Sequence, residues 1–166
     1  MVYAVGIIIV ILVIFLVIVL FNYYRLKDIK TSIEACSVRI NESLAVKLEL
    51  IEKILKKIDN EKIEQDFNYK EDDTIYERED ALFNVSFEIN KYLKESKSKK
   101  LKNELNELNV LEEGLDGLKD FYNTNVLNYN EIFFKKTFNK IFKLMKLEGY
   151  KSFKIRKLEE CEIFKN

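Results

Sequence analysis

The first twenty-one residues carry no charged side chain, and this long apolar run constrains the fold more than any other feature of the sequence. A helix needs about 20 apolar residues to cross a hydrocarbon core of roughly 30 Å, and the stretch Val2–Phe21 has that length. Inside a bilayer such a helix satisfies its own backbone hydrogen bonds. The sequence therefore predicts a transmembrane anchor over residues 1–22, with the lipid bilayer as the partner of Val2–Phe21.

The residues around this run favour a retained anchor over a cleaved signal peptide. Signal peptides combine a basic start, a short apolar core and small residues at the cleavage site. Here nothing basic precedes the run, and Asn22–Arg25 follow it. Because Arg25, Lys27 and Lys30 lie just after the span, the positive-inside rule places the short N-terminus outside and the C-terminal domain in the cytoplasm. We therefore expect a single-pass protein of the cell membrane.

Charge is balanced in the part of the chain that follows the anchor. Its 28 Lys and Arg residues equal its 28 Asp and Glu residues, so bulk attraction to nucleic acid is not expected. The chain contains no His, which excludes Ser-His-Asp and Cys-His nucleophile systems and the Glu-x-x-His pattern of di-metal helical bundles. Cys36 and Cys161 lie in no motif and are expected to be buried, reduced thiols. We expect no catalysis, no cofactor and no metal site.

Apolar residues recur every three or four positions after the anchor, which is the period of a helix with one buried face. The chain has no Pro, and no Gly lies between Gly6 and Gly114, so few residues would interrupt a helix. We expect the membrane helix to continue into the first stripe, and a polar connection, with or without a short helical piece, is predicted from Asp59 to Asp80. The first two stripes consist of Ile29, Ile33, Cys36, Ile40, Leu44, Leu48, Ile51, Leu55 and Ile58, then Leu82, Val85, Ile89 and Leu93.

The longest periodic segment follows a turn predicted at Ser96–Ser98. It consists of Leu101, Leu105, Leu108, Leu111, Leu115, Leu118, Tyr122, Val126, Tyr129 and Ile132. Gly114 and Gly117 lie inside it and predict either a bend or the close approach of another helix. Each glycine costs a helix about 1 kcal/mol relative to alanine.

A last stripe over Phe138–Met145 is expected to end at Gly149, a typical helix stop. Residues 154–166 keep only weak helical spacing and are expected to form a tail. Antiparallel packing is natural for such stripes. The sequence therefore predicts an all-α protein whose N-terminal transmembrane helix continues into an antiparallel three- or four-helix bundle over residues 23–153.

Residues 122–130 read YNTNVLNYN, which has the form YN-x2-V-x2-YN. This segment resembles the signature of the LemA family of bacterial membrane proteins, and the motif positions are Tyr122, Asn123, Val126, Tyr129 and Asn130. The surrounding frame is also similar, with Glu112, Leu115 and Lys119 upstream on the same helix, Leu44, Lys47, Leu50, Ile51, Ile54 and Leu55 earlier, and Gly149, Tyr150 and Phe153 downstream. The resemblance implies a single-span protein with a helical-bundle domain, and it implies no reaction.

The doubled Tyr-Asn motif has two possible roles. Tyr122 and Tyr129 are seven residues apart and share one stripe of a helix, and Asn123 and Asn130 share the neighbouring stripe. In a structural role, the Tyr rings pack at the edge of the core while the Asn amides bond to a facing element and set the helix register. In a functional role, the same residues form a patch that grips a partner helix or peptide.

The segment 134–146 contains five Lys and no acidic residue. On a helix Lys136, Lys140 and Lys143 would share one face, opposite the apolar face of the Phe138–Met145 stripe. Such a helix is either the last helix of the bundle, with its Lys face in water, or a helix that lies on anionic lipid.

These features predict a function as a protein-interaction or scaffolding module that is anchored in the membrane and faces the cytoplasm. Its partner would be a membrane or cytoplasmic protein that the sequence does not identify, and its oligomeric state is equally open. Two alternatives remain at this point. The chain could be an enzyme or a regulator of a membrane enzyme, with carboxylates or Tyr in a cleft between helices. It could instead organise the lipid surface through the Lys-rich helix 134–146.

Overall fold

The computed structural model describes residues 2–58, 69–70, 72–96 and 101–156. These ranges contain four helices and no strand, which confirms the all-α class for the described part of the chain. In chain order the helices are α1 (Val2–Leu55), α2 (Ile75–Ser96), α3 (Lys102–Phe133) and α4 (Asn139–Leu144).

Helix α1 runs without interruption from the apolar N-terminal run into the first predicted stripe, as expected. Its 54 residues correspond to about 80 Å of helix. The portion from Tyr3 to Leu55 is long and apolar enough to cross a membrane, with a mean hydropathy of 3.7 in its most apolar window. Length and composition of this kind are those of a membrane span or of a signal sequence near the N-terminus.

The described contacts divide the chain into two compact units, and the boundaries fall inside α1 and α3. The first unit combines Met1–Ala35 with Phe121–Ser152, and the second combines Cys36–Asp120 with Phe153–Asn166. This division differs from the predicted one, in which residues 1–22, 23–153 and 154–166 form anchor, bundle and tail. Hydropathy separates apolar from polar sequence, whereas contacts group segments that pack together.

In the second unit, the contacts between α1 and α3 run in opposite directions along the two helices. The Cys36 thiol donates a hydrogen bond of 3.3 Å to the Leu118 carbonyl, and an ion pair joins Lys57 to Glu104 nearer the other end. The contacts between α1 and α2 run in the same direction, since Arg78 bonds to Asn41 at 2.7 Å and Phe83 faces Lys47. The core of this unit includes Ile40, Leu44, Ile51, Ile54, Leu82, Val85, Ile89, Leu108 and Leu115.

Helix α2 begins earlier than predicted. The polar connection was expected to extend to Asp80, with or without a short helical piece, whereas residues 75–80 are the first residues of α2. The reason is a capping box. The Thr74 backbone N–H donates to the Glu77 carboxylate at 2.9 Å, and the Thr74 hydroxyl accepts from the Glu77 N–H at 3.4 Å. Of the expected connection, residues 59–68 and 71 lie outside the described residues, as do Lys97 and Ser98 of the predicted turn.

Helix α3 passes through both of its glycines without ending. A Cβ atom built on Gly114 or Gly117 would meet no described atom within 4 Å. Within the described ranges, therefore, no helix approaches α3 closely at these two glycines. The missing side chains instead leave open space beside α3.

The last predicted helix is much shorter than its pattern suggests. Helix α3 ends at Phe133, and the side-chain amide nitrogen of Asn139 donates to the Phe133 carbonyl at 3.2 Å. Helix α4 then extends only to Leu144, so most of the expected Lys-rich helix 134–146 is not helical. The expected stop at Gly149 is also wrong, because Lys146 adopts the left-handed conformation that ends α4, with φ of 58°.

The end of α4 is a Schellman motif built on a lysine. The N–H of Lys146 donates to the Lys143 carbonyl, and the N–H of Leu147 donates to the Phe142 carbonyl, both at 3.0 Å. Glycine is the usual residue at this left-handed position. The sequence pattern therefore placed the helix end at Gly149, three residues beyond the observed position at Lys146. Gly149 has another role, since a Cβ there would lie 2.9 Å from Cζ of Phe134.

Candidate functional site

The doubled Tyr-Asn motif lies on α3 in the first unit, with its apolar members in the core. Tyr122, Val126 and Tyr129 are all buried, and Asn123 and Asn130 are half-buried beside them. The motif residues therefore occupy two neighbouring stripes of one helix, as their spacing requires. Burial, together with the smaller effects of nearby Tyr150 and Glu34, raises the pKa of the Tyr129 hydroxyl to about 12.

Asn130 ties the segment after α4 back to α3. Its amide nitrogen donates to the Tyr150 carbonyl at 2.8 Å, and its amide oxygen accepts from the Tyr150 N–H at 3.1 Å. The Tyr150 ring meets the Tyr129 ring edge to face, with centroids 5.0 Å apart. Asn130 thus makes the kind of backbone bond expected from the structural role of the motif, and the absence of a side chain at Gly149 allows this close approach.

Glu112 and Lys119, which precede the doubled Tyr-Asn motif on α3, belong to an ionic cluster inside the second unit. We define the ionic cluster by its six residues, Lys47 of α1, Glu79 of α2, Glu112, Asp116 and Lys119 of α3, and Arg156 of the C-terminal segment. Lys47 forms an ion pair with Glu112, and both side chains are almost completely shielded from solvent. Lys119 bonds to Glu79 at 2.9 Å and to Asp116 at 2.7 Å.

Arg156 closes the ionic cluster from the C-terminal segment. Its guanidinium lies 3.0 Å from the Glu79 carboxylate and 2.6 Å from that of Asp80, and it stacks over the Phe83 ring at 4.3 Å. Phe153, just before it, is buried against Tyr76 with ring centroids 4.6 Å apart. The first residues of the expected tail are therefore held in the second unit, while residues 157–166 lie outside the described part of the chain.

The two buried lysines experience different environments. Burial lowers the pKa of Lys47, and the attraction of Glu112 offsets this only in part. Burial also acts to lower the pKa of Lys119, but hydrogen bonds to Asp116 and Glu79 outweigh it and raise that pKa. Each carboxylate of the cluster faces a cation, so the arrangement is suited to clamping helices together. Among the described residues, no group of three or more Cys, Asp and Glu side chains could hold a metal ion.

A second feature of the second unit is an open groove between α1 and α3. We call it the α1–α3 groove; it has a volume of about 850 Å³. It is lined by Ser43, Val46, Glu49, Leu50 and Lys53 of α1 and by Asn106, Glu107, Val110, Leu111, Gly114, Leu115 and Leu118 of α3. Val46 and Val110 are more than half exposed here, which is unusual for valines on facing helices. Gly114 contributes to the opening because it has no side chain.

The three lysines predicted to face lipid are exposed in the first unit. Lys136 precedes α4, and Lys140 and Lys143 lie on it. The same segment is held to the apolar part of α1 by Phe138, whose ring stacks on that of Phe15 with centroids 6.3 Å apart. Phe142 is buried next to Phe138.

Sequence reasoning missed Glu79, Arg156 and the α1–α3 groove as features of interest. A signal was present for Glu79, because it lies three residues before Leu82 on the buried stripe of α2. Lys47 similarly follows Leu44 on the buried stripe of α1. A charged residue at a buried position of a helical stripe predicts a buried partner of opposite charge. Arg156 and the groove had no such signal, because both depend on which elements pack together.

Comparison of the chain with protein-family models, with curated proteins and with solved structures finds no match. The functional interpretation of this molecule therefore depends on its own residues and geometry.

Proposed function

We propose that this chain is a membrane-anchored helical-bundle protein, a divergent relative of the LemA family, that binds a helix of a partner protein in its α1–α3 groove. The anchor is Val2–Phe21, inserted as a single span in the cell membrane with the short N-terminus outside and the remainder in the cytoplasm. The proposal assigns no reaction and no cofactor to the chain. The partner is a membrane or cytoplasmic protein that presents an apolar helix.

The open groove is the observation that carries this proposal. Two antiparallel helices that expose apolar side chains along a shared groove offer a binding site for the apolar face of a third helix. The leucines that line the groove, Leu50, Leu111 and Leu115, are buried or half-buried, and its charged lining residues, Glu49, Lys53 and Glu107, are exposed. Exposed charges of both signs favour a partner helix with its own charged residues flanking an apolar stripe.

The chain offers a matched pair of substitutions to test the groove. Leucine at position 114 would fill the groove, while leucine at position 117 would lie outside it, and neither would meet a described atom at its Cβ. Both changes should stabilise α3 to a similar extent, by about 1 kcal/mol each from helix propensity. A difference between Gly114→Leu and Gly117→Leu in partner binding therefore reports on the groove and not on the fold.

The experiment places a photo-crosslinking residue at Val110, which lines the groove, and at Val38, an equally exposed valine of α1 outside it. We expect a discrete heterologous adduct in cells from position 110 and none from position 38. Gly114→Leu should abolish that adduct, and Gly117→Leu should leave it intact. An adduct that survives Gly114→Leu, or that forms equally from position 38, would contradict the proposal. An adduct of twice the chain mass would identify a second copy as the occupant and would also contradict it.

Membrane anchoring is tested separately. The full chain should remain with the membrane fraction after alkaline carbonate extraction and dissolve only in detergent. The reason is that the apolar span, and not charge at the membrane surface, holds it in the bilayer. Protease added to intact cells should leave the C-terminal part uncut, and protease added to inverted vesicles should remove it. Release of the full chain by carbonate would contradict the anchor, and the opposite protease pattern would contradict its orientation.

A further inference from the structure

The segment that carries the five lysines lies beside the apolar run of α1, and one ring contact shows how much of that run it overlaps. We call residues 134–146 the Lys-rich segment. Phe138 stacks on Phe15, six residues before Phe21, where the apolar run ends. Six residues of helix correspond to about 9 Å. Val19, one turn beyond Phe15, is buried in the first unit, unlike its apolar neighbours in the run. The Lys-rich segment thus overlaps the last 9 Å or so of the apolar run.

The chemistry of the Lys-rich segment suits the boundary between headgroups and acyl chains. All five lysines, at positions 135, 136, 140, 143 and 146, are exposed, and the segment contains no acidic residue. Three apolar side chains of the same segment are also exposed, namely Phe134, Leu144 and Met145. The acidic residues nearest to it in the sequence, Glu131 and Glu148, lie outside the segment, one on each side. Water is a poor environment for the exposed apolar groups, and hydrocarbon is a poor environment for the lysines.

We propose that the Lys-rich segment is a membrane-surface contact that inserts its apolar side chains among the lipids next to the anchor and holds anionic lipid headgroups with its lysines. Amphipathic segments of this kind bury their apolar face about 5–10 Å into the boundary region, which agrees with the overlap of about 9 Å. Lysine side chains at that depth extend their ammonium groups back towards the headgroups. This inference rests on the proposed anchoring of the chain.

The overlap also bears on how far the anchor reaches. The part of α1 before Phe15, from Tyr3 to Ile14, is about 18 Å long. With the residues from Phe15 to Phe21 the run reaches about 28 Å, which is close to a hydrocarbon core of roughly 30 Å. A Lys-rich segment held fully in water would withdraw those residues from the bilayer. Placing the segment in the boundary layer removes this conflict.

The chain contains no Trp, so a single introduced Trp reports the depth of one position. The full chain is reconstituted in vesicles of phosphatidylcholine with phosphatidylglycerol, and Leu144→Trp is compared with Leu127→Trp. Both leucines are exposed in the first unit, and Leu127 lies on α3 well before the Lys-rich segment. We expect brominated acyl chains to quench Trp at position 144 and to leave Trp at position 127 unquenched. Equal quenching at the two positions, or none at 144, would overturn the proposal.

The role of the lysines is tested by replacing Lys136, Lys140 and Lys143 with glutamine in the Leu144→Trp chain. Each lysine near an anionic surface contributes a factor of about five, so the triple variant should weaken the surface contact on the order of 100-fold. Quenching should fall in vesicles with phosphatidylglycerol and approach the value in pure phosphatidylcholine, where the wild-type segment is also weakly held. The matched control replaces three exposed lysines of the second unit, Lys56, Lys91 and Lys102, and should leave the quenching unchanged.

Failure of this inference can be told apart from failure of the anchor. A chain that resists carbonate extraction but shows no quenching at position 144 is anchored without the surface contact, which refutes only the inference. A chain released by carbonate is not anchored, which refutes the proposed function as well. Unchanged quenching after replacement of all three lysines would show that anionic headgroups are not the partner, and would overturn the lipid assignment.

Discussion

Replacing Glu112 by glutamine removes the charge that faces the Lys47 ammonium inside the second unit. The Lys47 side chain is completely buried, and burial already lowers its pKa despite the ion pair with Glu112. Leaving one member of a buried pair without its partner typically costs 3–5 kcal/mol. The cost also has an upper limit, because Lys47 can lose its proton. From an ordinary pKa of 10.5, deprotonation at pH 7 costs about 5 kcal/mol, and at pH 9 about 2 kcal/mol.

We therefore expect Glu112→Gln to destabilise the chain by about 3–5 kcal/mol at pH 7 and by about 2 kcal/mol or less at pH 9. The sign follows from linkage, since a lysine whose pKa is lower in the folded state makes folding more favourable as the pH rises towards 10.5. In a chain of this size the loss at pH 7 corresponds to a fall in Tm of roughly 6–20 °C. Thermal unfolding of the full chain in detergent micelles, followed by circular dichroism at the two pH values, measures it.

Two further variants separate the buried charge from a general loss of packing. The double variant Lys47→Met with Glu112→Leu replaces both charges by apolar groups of similar size, and its stability should be close to or above that of the wild type. Lys57→Met removes one member of the more exposed pair Lys57–Glu104 and should change Tm little. Three outcomes would show that Glu112 does not balance a buried charge on Lys47. Glu112→Gln could lower the free energy of unfolding less than Lys57→Met does, its effect could be as large at pH 9 as at pH 7, or the double variant could be as unstable as the single one.

Two other predictions concern the end of α3 and the end of α4 in the first unit. Asn130→Ala removes both hydrogen bonds to Tyr150 and should cost about 2 kcal/mol, while Asn125→Ala, which loses only a bond within its own helix, should cost less. Tm and amide hydrogen exchange at Tyr150 measure this, and equal costs would argue against a stabilising role for the bonds between Asn130 and Tyr150. Lys146→Gly should raise stability by about 1 kcal/mol, because glycine adopts the left-handed position without strain. Lys143→Gly, inside α4, should lower stability. A lower Tm in Lys146→Gly would contradict the assigned helix end.

The elements that depend on local periodicity were predictable from the sequence. The apolar run from Val2 to Phe21 and the stripe that follows it are one helix, because nothing between them interrupts the hydrogen-bond ladder. The stripe from Leu101 to Ile132 likewise matches α3 within a residue. Spacing also places Tyr122 and Tyr129 on one face. These features follow from neighbours three or four residues apart, which a helix brings together whatever surrounds it.

The start of α2 and the end of α4 show where local patterns mislead. The capping box at Thr74 and Glu77 was readable in the sequence, yet the acidic composition around it favoured a connection. At the other boundary, Gly149 matched the usual helix stop, while Lys146 took the left-handed position. A short helix packed on α1 through Phe138 can accommodate a lysine at its end, because tertiary contacts outweigh a local preference of about 1 kcal/mol.

The membrane-length apolar helix and the buried stripes of the later helices can be read from the sequence, since both are properties of residues close together in the chain. The sequence also placed Lys47, Glu79, Glu112 and Lys119 on those stripes without showing which charge meets which. The pairing of these charges is set by the packing of the helices, because an ion pair between helices depends on their relative direction and register. The same holds for the α1–α3 groove and for the contact of Phe138 with Phe15. Each joins residues more than fifty positions apart, where no local period carries information.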